Sequence, residues 1–217
     1  MVEAMIYVLR TGIAWRDTPG CFGKWKSVYT RWRRWSASGL WDRILSAVAC
    51  RARGTTRFVD STHIKVHQDG AGARCDRESR AIGRTKGGLN TKVTSVVDSY
   101  GRAVALSLHP GSRNDVRTID AHVCLLRGRT LVADKGFDAD GLRERVSQIG
   151  GLACIPRRQN CGGSRWFRQR LYRRRHRIEN FFCRIKRHRR INTRYEKLAS
   201  TFLAFVQLAA ILDWLKN

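Results

Sequence analysis

Arg57-Phe58-Val59-Asp60-Ser61-Thr62-His63-Ile64-Lys65-Val66 is the stretch on which the fold turns. It is rich in β-branched and aromatic residues and reads as a strand. One carboxylate, Asp60, interrupts it directly after Phe58 and Val59. A charge among buried apolar neighbours is costly unless it is paired or metal-bound. A lone acid is more often a salt-bridge or capping residue than a catalytic one, so Asp60 gains meaning only from its surroundings.

Downstream, Gln68–Gly88 is glycine-rich, basic and polar and reads as a loop. Lys92–Asp98 and Arg102–His109 flank the turn Ser99-Tyr100-Gly101 as a hairpin. Thr118–Leu126 has helical character, Thr130–Ala133 is a short strand, Ala139–Ile149 a helix, and Leu152–Ile155 a last strand stopped by Pro156. A polar loop, Arg157–Ser164, precedes a long helix predicted from about Trp166 to His188. The order strand, hairpin, helix, strand, helix, strand, helix makes 54–217 an α/β domain.

Two further acids stand out on this order of elements. Asp134 ends the strand Leu131-Val132-Ala133, and Glu179 lies in a helix crowded with arginine. At about 100° per residue, Tyr172, Arg175, Glu179 and Lys186 fall within an arc of roughly 60°. Leu171, Ile178, Phe182 and Ile185 form the adjacent apolar stripe, and Arg173, Arg177, Arg184 and Arg187 the far side. One helix would thus anchor in the core, present one acid and hold out a basic face. The plainer reading is a solvated charged helix, and an i,i+4 pair between Arg175 and Glu179 is expected either way.

Upstream, Val2, Met5, Ile6 and Leu9 follow helical spacing up to Gly12. Trp15–Gly23 reads as a loop. A second helix fits Trp25, Val28, Tyr29, Trp32 and Trp35, with Lys26, Arg31, Arg33 and Arg34 on its other face. Ser38-Gly39 ends it, and Trp41, Ile44, Leu45 and Val48 suggest a third. Residues 1–53 are therefore a small helical part. It is either a DNA-binding module or a cap whose tryptophans are core; the cap is favoured for the tryptophans, and the arginines stay open.

Lys and Arg number 43 against 17 Asp and Glu, a formal net charge of +26. A compact body holding that much like charge needs a polyanion, and nucleic acid is the common one. Charge alone leaves DNA and RNA level. The seven cysteines show no close C-x-x-C pair followed by zinc-finger spacing and read as reduced thiols of a cytosolic protein. No secretory signal opens the chain, since Glu3 and Arg10 interrupt the early apolar stretch. Leu198–Leu215 contains Ser200, Thr201, Gln207 and Asp213 and suits a buried helix better than a membrane span. Gly83–Gly88 lacks the spacing of a phosphate loop, so no nucleotide cofactor is expected.

The run Tyr172-x2-Arg175-x3-Glu179-x6-Lys186 resembles the Y-R-E-K motif of DDE-type bacterial insertion-sequence transposases. The surrounding text is similar to their insertion-sequence-five (IS-five) family. Val59-Asp60-Ser61-Thr62 resembles its first-Asp strand, and Ala133-Asp134-Lys135-Gly136-Phe137-Asp138 its second-Asp turn. Arg189-Arg190-Ile191-Asn192-Thr193-Arg194-Tyr195-Glu196-Lys197 resembles the basic stretch after its Glu. Gly12–Asp17 and Gly83–Gly88 also look like family text, so the likeness runs along nearly the whole chain in order.

The resemblance implies a ribonuclease-H-like mixed sheet flanked by helices, with the small helical part in front. It implies metal-dependent cleavage and strand transfer of DNA at insertion-sequence ends. Asp60, Asp134 and Glu179 would be the catalytic metal ligands and Mg²⁺ the cofactor, with Mn²⁺ as a substitute. Three close carboxylates repel, and divalent cations relieve this. Two such ions about 3.5–4 Å apart can flank one phosphate, so no protein nucleophile is needed. Tyr172, Arg175, Lys186, Arg84, Lys86, Arg189, Arg190 and Arg194 are the expected DNA contacts. Asp115 and Asp138 are candidates for support of the site, and His63 and His67 are read as ordinary surface or core histidines rather than substrate-positioning ones. The partners implied are terminal inverted repeats and target DNA, bound by a homo-oligomer in the bacterial cytoplasm at the nucleoid, without a membrane. Family members usually carry a further segment before Gly12–Asp17, so strong DNA binding with poor discrimination of the ends is expected. The alternatives are a metal-dependent nuclease on the same fold and a non-enzymatic basic nucleic-acid binder.

Overall fold

The computed structural model of the protein describes residues 1–72, 77–158 and 168–216. Strand β1 (Thr56–Val66) lies at the centre of a seven-stranded mixed sheet. On one side it pairs antiparallel with β3 (Gly88–Val97), which sets Asp60 opposite Ser95. Strands β2 (Gly83–Thr85) and β4 (Ala103–Pro110) both pair antiparallel with β3, at its beginning and along its length. On the other side β1 runs parallel to β5 (Thr130–Val132), and β5 to β6 (Leu152–Cys154). The short β7 (Thr193–Arg194) lies parallel to the far end of β1, at Lys65 and Val66. Three long antiparallel strands continued by two parallel ones, with helices on both faces, make the ribonuclease-H-like architecture.

Alternation along the strands builds two cores. Successive side chains point to opposite faces, so Phe58 and Ile64 join Val93, Val97, Leu106 and Val132 on one face. Val59, Val96 and Leu131 join Ile119, Phe137, Leu142 and Val146 on the other. The first face is covered by α1 (Val2–Thr11), α2 (Trp25–Ala37), α3 (Leu40–Ala49), α5 (His176–Lys186) and α6 (Ala199–Lys216). The second is covered mainly by α4 (Asp140–Gln148) and the 3₁₀ segment Asp120–Leu126. Asp60 shares the parity of Phe58 and therefore faces the helices of the first core.

Most of the described tryptophans join the first core, Trp25 excepted. Trp32 and Trp41 are buried, and Trp32 stacks on Phe205 of α6 with ring centroids 4.1 Å apart. Helix α2 leaves Lys26, Arg31, Arg33 and Arg34 exposed on its outer side. Helix α6 is long and apolar enough to cross a membrane, but most of it is buried against α2, α3, α5 and β4. Its Asp213 receives two hydrogen bonds from Arg184 of α5, at 2.6 and 2.9 Å. The same guanidinium donates to the carbonyl of Gly101, in the β3–β4 turn. Gly101 has φ +81°, and a Cβ there would stand 3.0 Å from the Arg177 carbonyl, so the turn packs on α5 only as glycine.

Three expectations need correction. Residues 68–88 are not simply loop: they hold short helices at Gln68–Ala71 and Arg77–Arg80 and the strand β2. Elements of three or four residues carry too little periodicity to read. The Thr118–Leu126 helix divides into an α turn, Asp115–Thr118, and the 3₁₀ segment. The long helix is interrupted: Gln169–Tyr172 is α, Arg173–Arg175 tightens to 3₁₀, and α5 follows. Arg173–Arg175 contributes no buried anchor, and α geometry relies on packing that begins with Ile178. The expected helix start at Trp166, most of Arg157–Ser164, and Cys75 and Cys161 lie outside the described residues. The five described cysteines are free thiols.

Burial gives the fold an acid-labile element. In β4, burial and then the charge of Arg113 pull His109 down to about 4 from the ordinary 6.5. Burial also lowers His122 and His188. A depressed histidine stabilises the fold above the unfolded value, and that contribution is lost as pH falls from about 6.5 toward 4. The urea midpoint is therefore expected to drop between pH 7 and 5, with His109 accounting for about 1 kcal/mol after screening is allowed for. His109→Gln should flatten that pH dependence in urea titrations; an unaltered slope would rule out the histidine as its source.

Candidate active site

The parallel pairing of β1 and β5 places the two strand acids. Phe58 is registered with Val132. Continuing that register by two residues sets Asp134 beside Asp60, both on the first-core face. Asp134 leaves the strand in extended conformation and caps the 3₁₀ turn Lys135–Phe137, its Oδ1 accepting from the Gly136 N–H at 2.8 Å. A Cβ on Gly136 would lie 2.9 Å from that Oδ1 and 3.0 Å from Oδ2 of Asp115. A glycine is thus needed for the turn to fit between two carboxylates.

Asp60 is mostly buried. Its Oδ1 accepts from the Ser61 N–H at 2.8 Å and its Oδ2 from Nη1 of Arg175 at 2.6 Å. Burial pushes its pKa up, and the nearby Asp134 adds to that rise, while the Ser61 and Arg175 donors work against it. Nη2 of the same guanidinium donates to Oε1 of Glu179, one helical turn on. Arg175 thus bridges the first-strand acid to the helix acid. Burial alone would depress its pKa, but Asp60, Glu179, Tyr172 and Asp134 together hold it above the ordinary value.

Two turns further along α5, Nζ of Lys186 donates to Oγ1 of Thr62 at 2.6 Å. Its pKa is lowered by burial, against the opposing influence of Cys183. Arg175 to Asp60 and Lys186 to Thr62 form two rungs between α5 and the same face of β1. The narrow arc calculated for the helix therefore faces β1. Tyr172 packs against the first core at the start of that arc.

Of the other expected residues, Arg84, Lys86 and Arg189 are exposed. Arg190 and Arg194 are corrections, because both point inward. Arg190 is buried, pairing with Glu196 at 2.7 Å and donating to the carbonyls of Gly12 and Ile13. Arg194 is fully buried, and its guanidinium donates to the carbonyls of Arg80, Ala81, Glu196 and Lys197 and to Thr91. Neither presents its charge to a partner in solvent. Asp138 is locked in place by Arg143 and the Arg158 N–H. His63 bonds Asn90, and His67 caps the Gln68–Ala71 helix and packs on Tyr195.

Sequence reasoning gave Lys92 no role. It is buried in β3 and holds Asp115 at 2.8 Å, directly across Gly136 from Asp134. The available signal was a lysine directly before the run Val93-Thr94-Ser95-Val96-Val97 of the same strand.

The donor set fits a hard divalent cation in kind, since it consists of carboxylate oxygens. Among the described residues, however, no group of three or more His, Cys, Asp and Glu is gathered closely enough to hold one. The Arg175 guanidinium lies between Asp60 and Glu179, where it supplies the positive charge itself.

Residues 51–214, most of the chain, match the family described as "Transposase DDE domain". The chain belongs to the DDE transposases. Residues 1–45 match a second family, described as "Putative transposase of IS4/5 family". The chain is 36% identical over 133 residues to a "Putative transposase for insertion sequence element IS6501" of Brucella ovis, covering all of that protein and 59% of this chain. It is also 34% identical over 74 residues to an uncharacterized 16.2 kDa protein of insertion element IS402 from Burkholderia cepacia, 50% of that protein and 30% of this chain. A DDE transposase is an enzyme that acts on DNA, and the family generally uses a divalent metal. The excess of arginine and lysine on this transposase accords with a DNA substrate.

Proposed function

We propose that this transposase cuts and rejoins DNA at insertion-sequence ends, with Asp60, Asp134 and Glu179 as the ligands of two Mg²⁺ ions. The supporting observation is the convergence of two parallel strand ends and one helix: Asp134 acts electrostatically on Asp60, and Arg175 joins Asp60 to Glu179. Bound there, the cations would activate an attacking water or 3′-hydroxyl and stabilise the departing oxygen. The chain's own residues hold the site open for that chemistry. Ser61 and Gly136 fix one oxygen of each strand acid through backbone N–H groups. Arg175 balances the carboxylates in the free protein, and its guanidinium is positioned to pass to a DNA phosphate. Lys186 carries the second cation on that helix face. The protein works in the bacterial cytoplasm at the nucleoid, as a homo-oligomer on terminal repeats and target DNA. The test is a strand-joining assay on DNA carrying the element's ends. Joined product in Mg²⁺ supports transposition; cleavage without joining would indicate a nuclease, and binding alone a non-enzymatic role.

Lys186 offers a separate check. A phosphate contact positions DNA without reading sequence. Lys186→Met is expected to weaken binding to every sequence and to flatten the slope of log K against log salt by about 0.9. An unchanged slope would mean that Lys186 serves only its bond to Thr62.

A further inference from the structure

Lys92 is a charge that the middle of a sheet has little energetic reason to keep. It is buried in β3, and its Nζ donates to the Arg113 carbonyl at 2.5 Å and to Oδ1 of Asp115 at 2.8 Å. A buried ion pair seldom stabilises a fold more than apolar side chains of the same volume would. What this pair does, and apolar residues could not, is place a carboxylate. Asp115 opens the turn Asp115–Thr118, which packs against Lys135–Phe137. With Oδ1 taken by Lys92, Oδ2 is directed at Gly136, 3.0 Å from the place a Cβ would occupy. Oδ1 of Asp134 stands 2.9 Å from that same place.

The second-Asp turn has another fastening. Arg158 donates through Nε to the Lys135 carbonyl and through Nη2 to that of Gly136, both at 3.0 Å. This holds the backbone of the turn but not the Asp134 side chain. Among the described residues that carboxylate has one hydrogen bond, from the Gly136 N–H.

We propose that Asp115, aimed by Lys92, is a positioning residue that keeps the Asp134 carboxylate on the Gly136 N–H. Two carboxylates converging on the space left by a missing side chain repel each other. Oδ1 of Asp134 therefore settles on the N–H, and its Oδ2 is left for the site. The proposal rests on the reading of Asp134 as a catalytic acid and goes beyond it in naming what aims that acid.

Asp115→Asn reverses the sign of the contact. Lys92 still needs an oxygen, so the amide nitrogen takes the position facing Gly136 and offers Asp134 a donor that competes with the Gly136 N–H. Gly136→Ala disturbs the same contact with the ion pair intact. Gly136 has no positive φ, and its new Cβ meets only the ends of two carboxylate side chains, so the fold is expected to survive.

The experiment has two readouts. In labelled, metal-free Asp115→Asn, NMR follows exchange of the Gly136 amide with solvent. It should speed up by as much as about tenfold, the worth of one net hydrogen bond, while the Gly101 amide stays as it was. On DNA bearing the element's ends, Asp115→Asn and Gly136→Ala should each lower kcat about 10–100-fold, the usual effect of disturbing a group that orients a metal ligand, and leave KM unchanged. Unchanged Gly136 exchange, or equal loosening at Gly101, would overturn the proposal. Full cutting by Gly136→Ala where Asp134→Asn is inactive would overturn it too, even if Asp115→Asn fails to fold. Cutting by Asp134→Asn at the undiminished rate would instead count against the main-site reading, and the Gly136 exchange would still decide whether Asp115 positions that side chain.

Discussion

Asp60→Asn, Asp134→Asn and Glu179→Gln are each expected to reduce DNA cleavage by at least about a thousandfold, the several kcal/mol that bound cations contribute to such chemistry. Each change keeps the side chain's size and removes one charge. Asp60→Asn retains an oxygen for the Ser61 N–H; Glu179 is half-exposed and bears little on the fold. DNA affinity should survive, because the exposed arginines and lysines are untouched. The measurement is nicking of end-bearing DNA beside a binding assay and a melting curve on each variant. Cleavage persisting in any one of them, or binding lost while the fold stands, would remove that residue from the proposed triad. Ca²⁺ should permit binding with little cutting, and equal cutting in chelator would exclude the metal mechanism altogether.

The second large effect concerns stability. Arg194→Met should lower the unfolding free energy by about 4 kcal/mol, because methionine fills the stem's space but leaves several inward-facing carbonyls without a donor at about 1–3 kcal/mol each. Replacing a buried ion pair with apolar groups can be harmless when both partners go; here the partners are backbone and remain. For a chain of this size the melting temperature should fall by roughly 8–16 °C. Arg84→Ala, at an exposed site, should shift it by no more than a degree or two, within the ordinary range for surface changes. A drop under about 3 °C in Arg194→Met would show that water replaces the guanidinium and that its bonds are dispensable.

Arg190 and Arg194 mark where sequence reading stops. The strand around Asp60 was legible because alternation fixes the faces of a strand, and the arc through Arg175, Glu179 and Lys186 because 3.6-residue periodicity fixes those of a helix. Both are local regularities. Arg190 and Arg194 sit in a short, arginine-rich stretch without such regularity, so nothing local separates an arginine that turns in from one that turns out. What decides is distant: carbonyls at Gly12, Ile13, Arg80 and Ala81 that must be satisfied. The same holds for Lys92, whose role appears only once β3 brings it to Asp115. The broken helix at Arg173–Arg175 was hidden because arginine is a good helix former, and the absence of a buried anchor shows only in the packing.

The C-terminal helix sets the order in which a newly made molecule becomes competent. Ala199–Lys216 leaves the ribosome after every other described element, yet Phe205 is the ring on which Trp32 and Trp15 stack, and Asp213 holds the helix that carries Glu179. Until it emerges, the part of the sheet beneath it is uncovered, Trp32 lacks the Phe205 ring it stacks on, and α5 lacks its brace. A nascent chain without this helix is therefore sticky, and the candidate site gains its full support only once the helix is made. A chain terminated before this helix is expected to expose the apolar residues it covers and to lack the brace on the helix that carries Glu179.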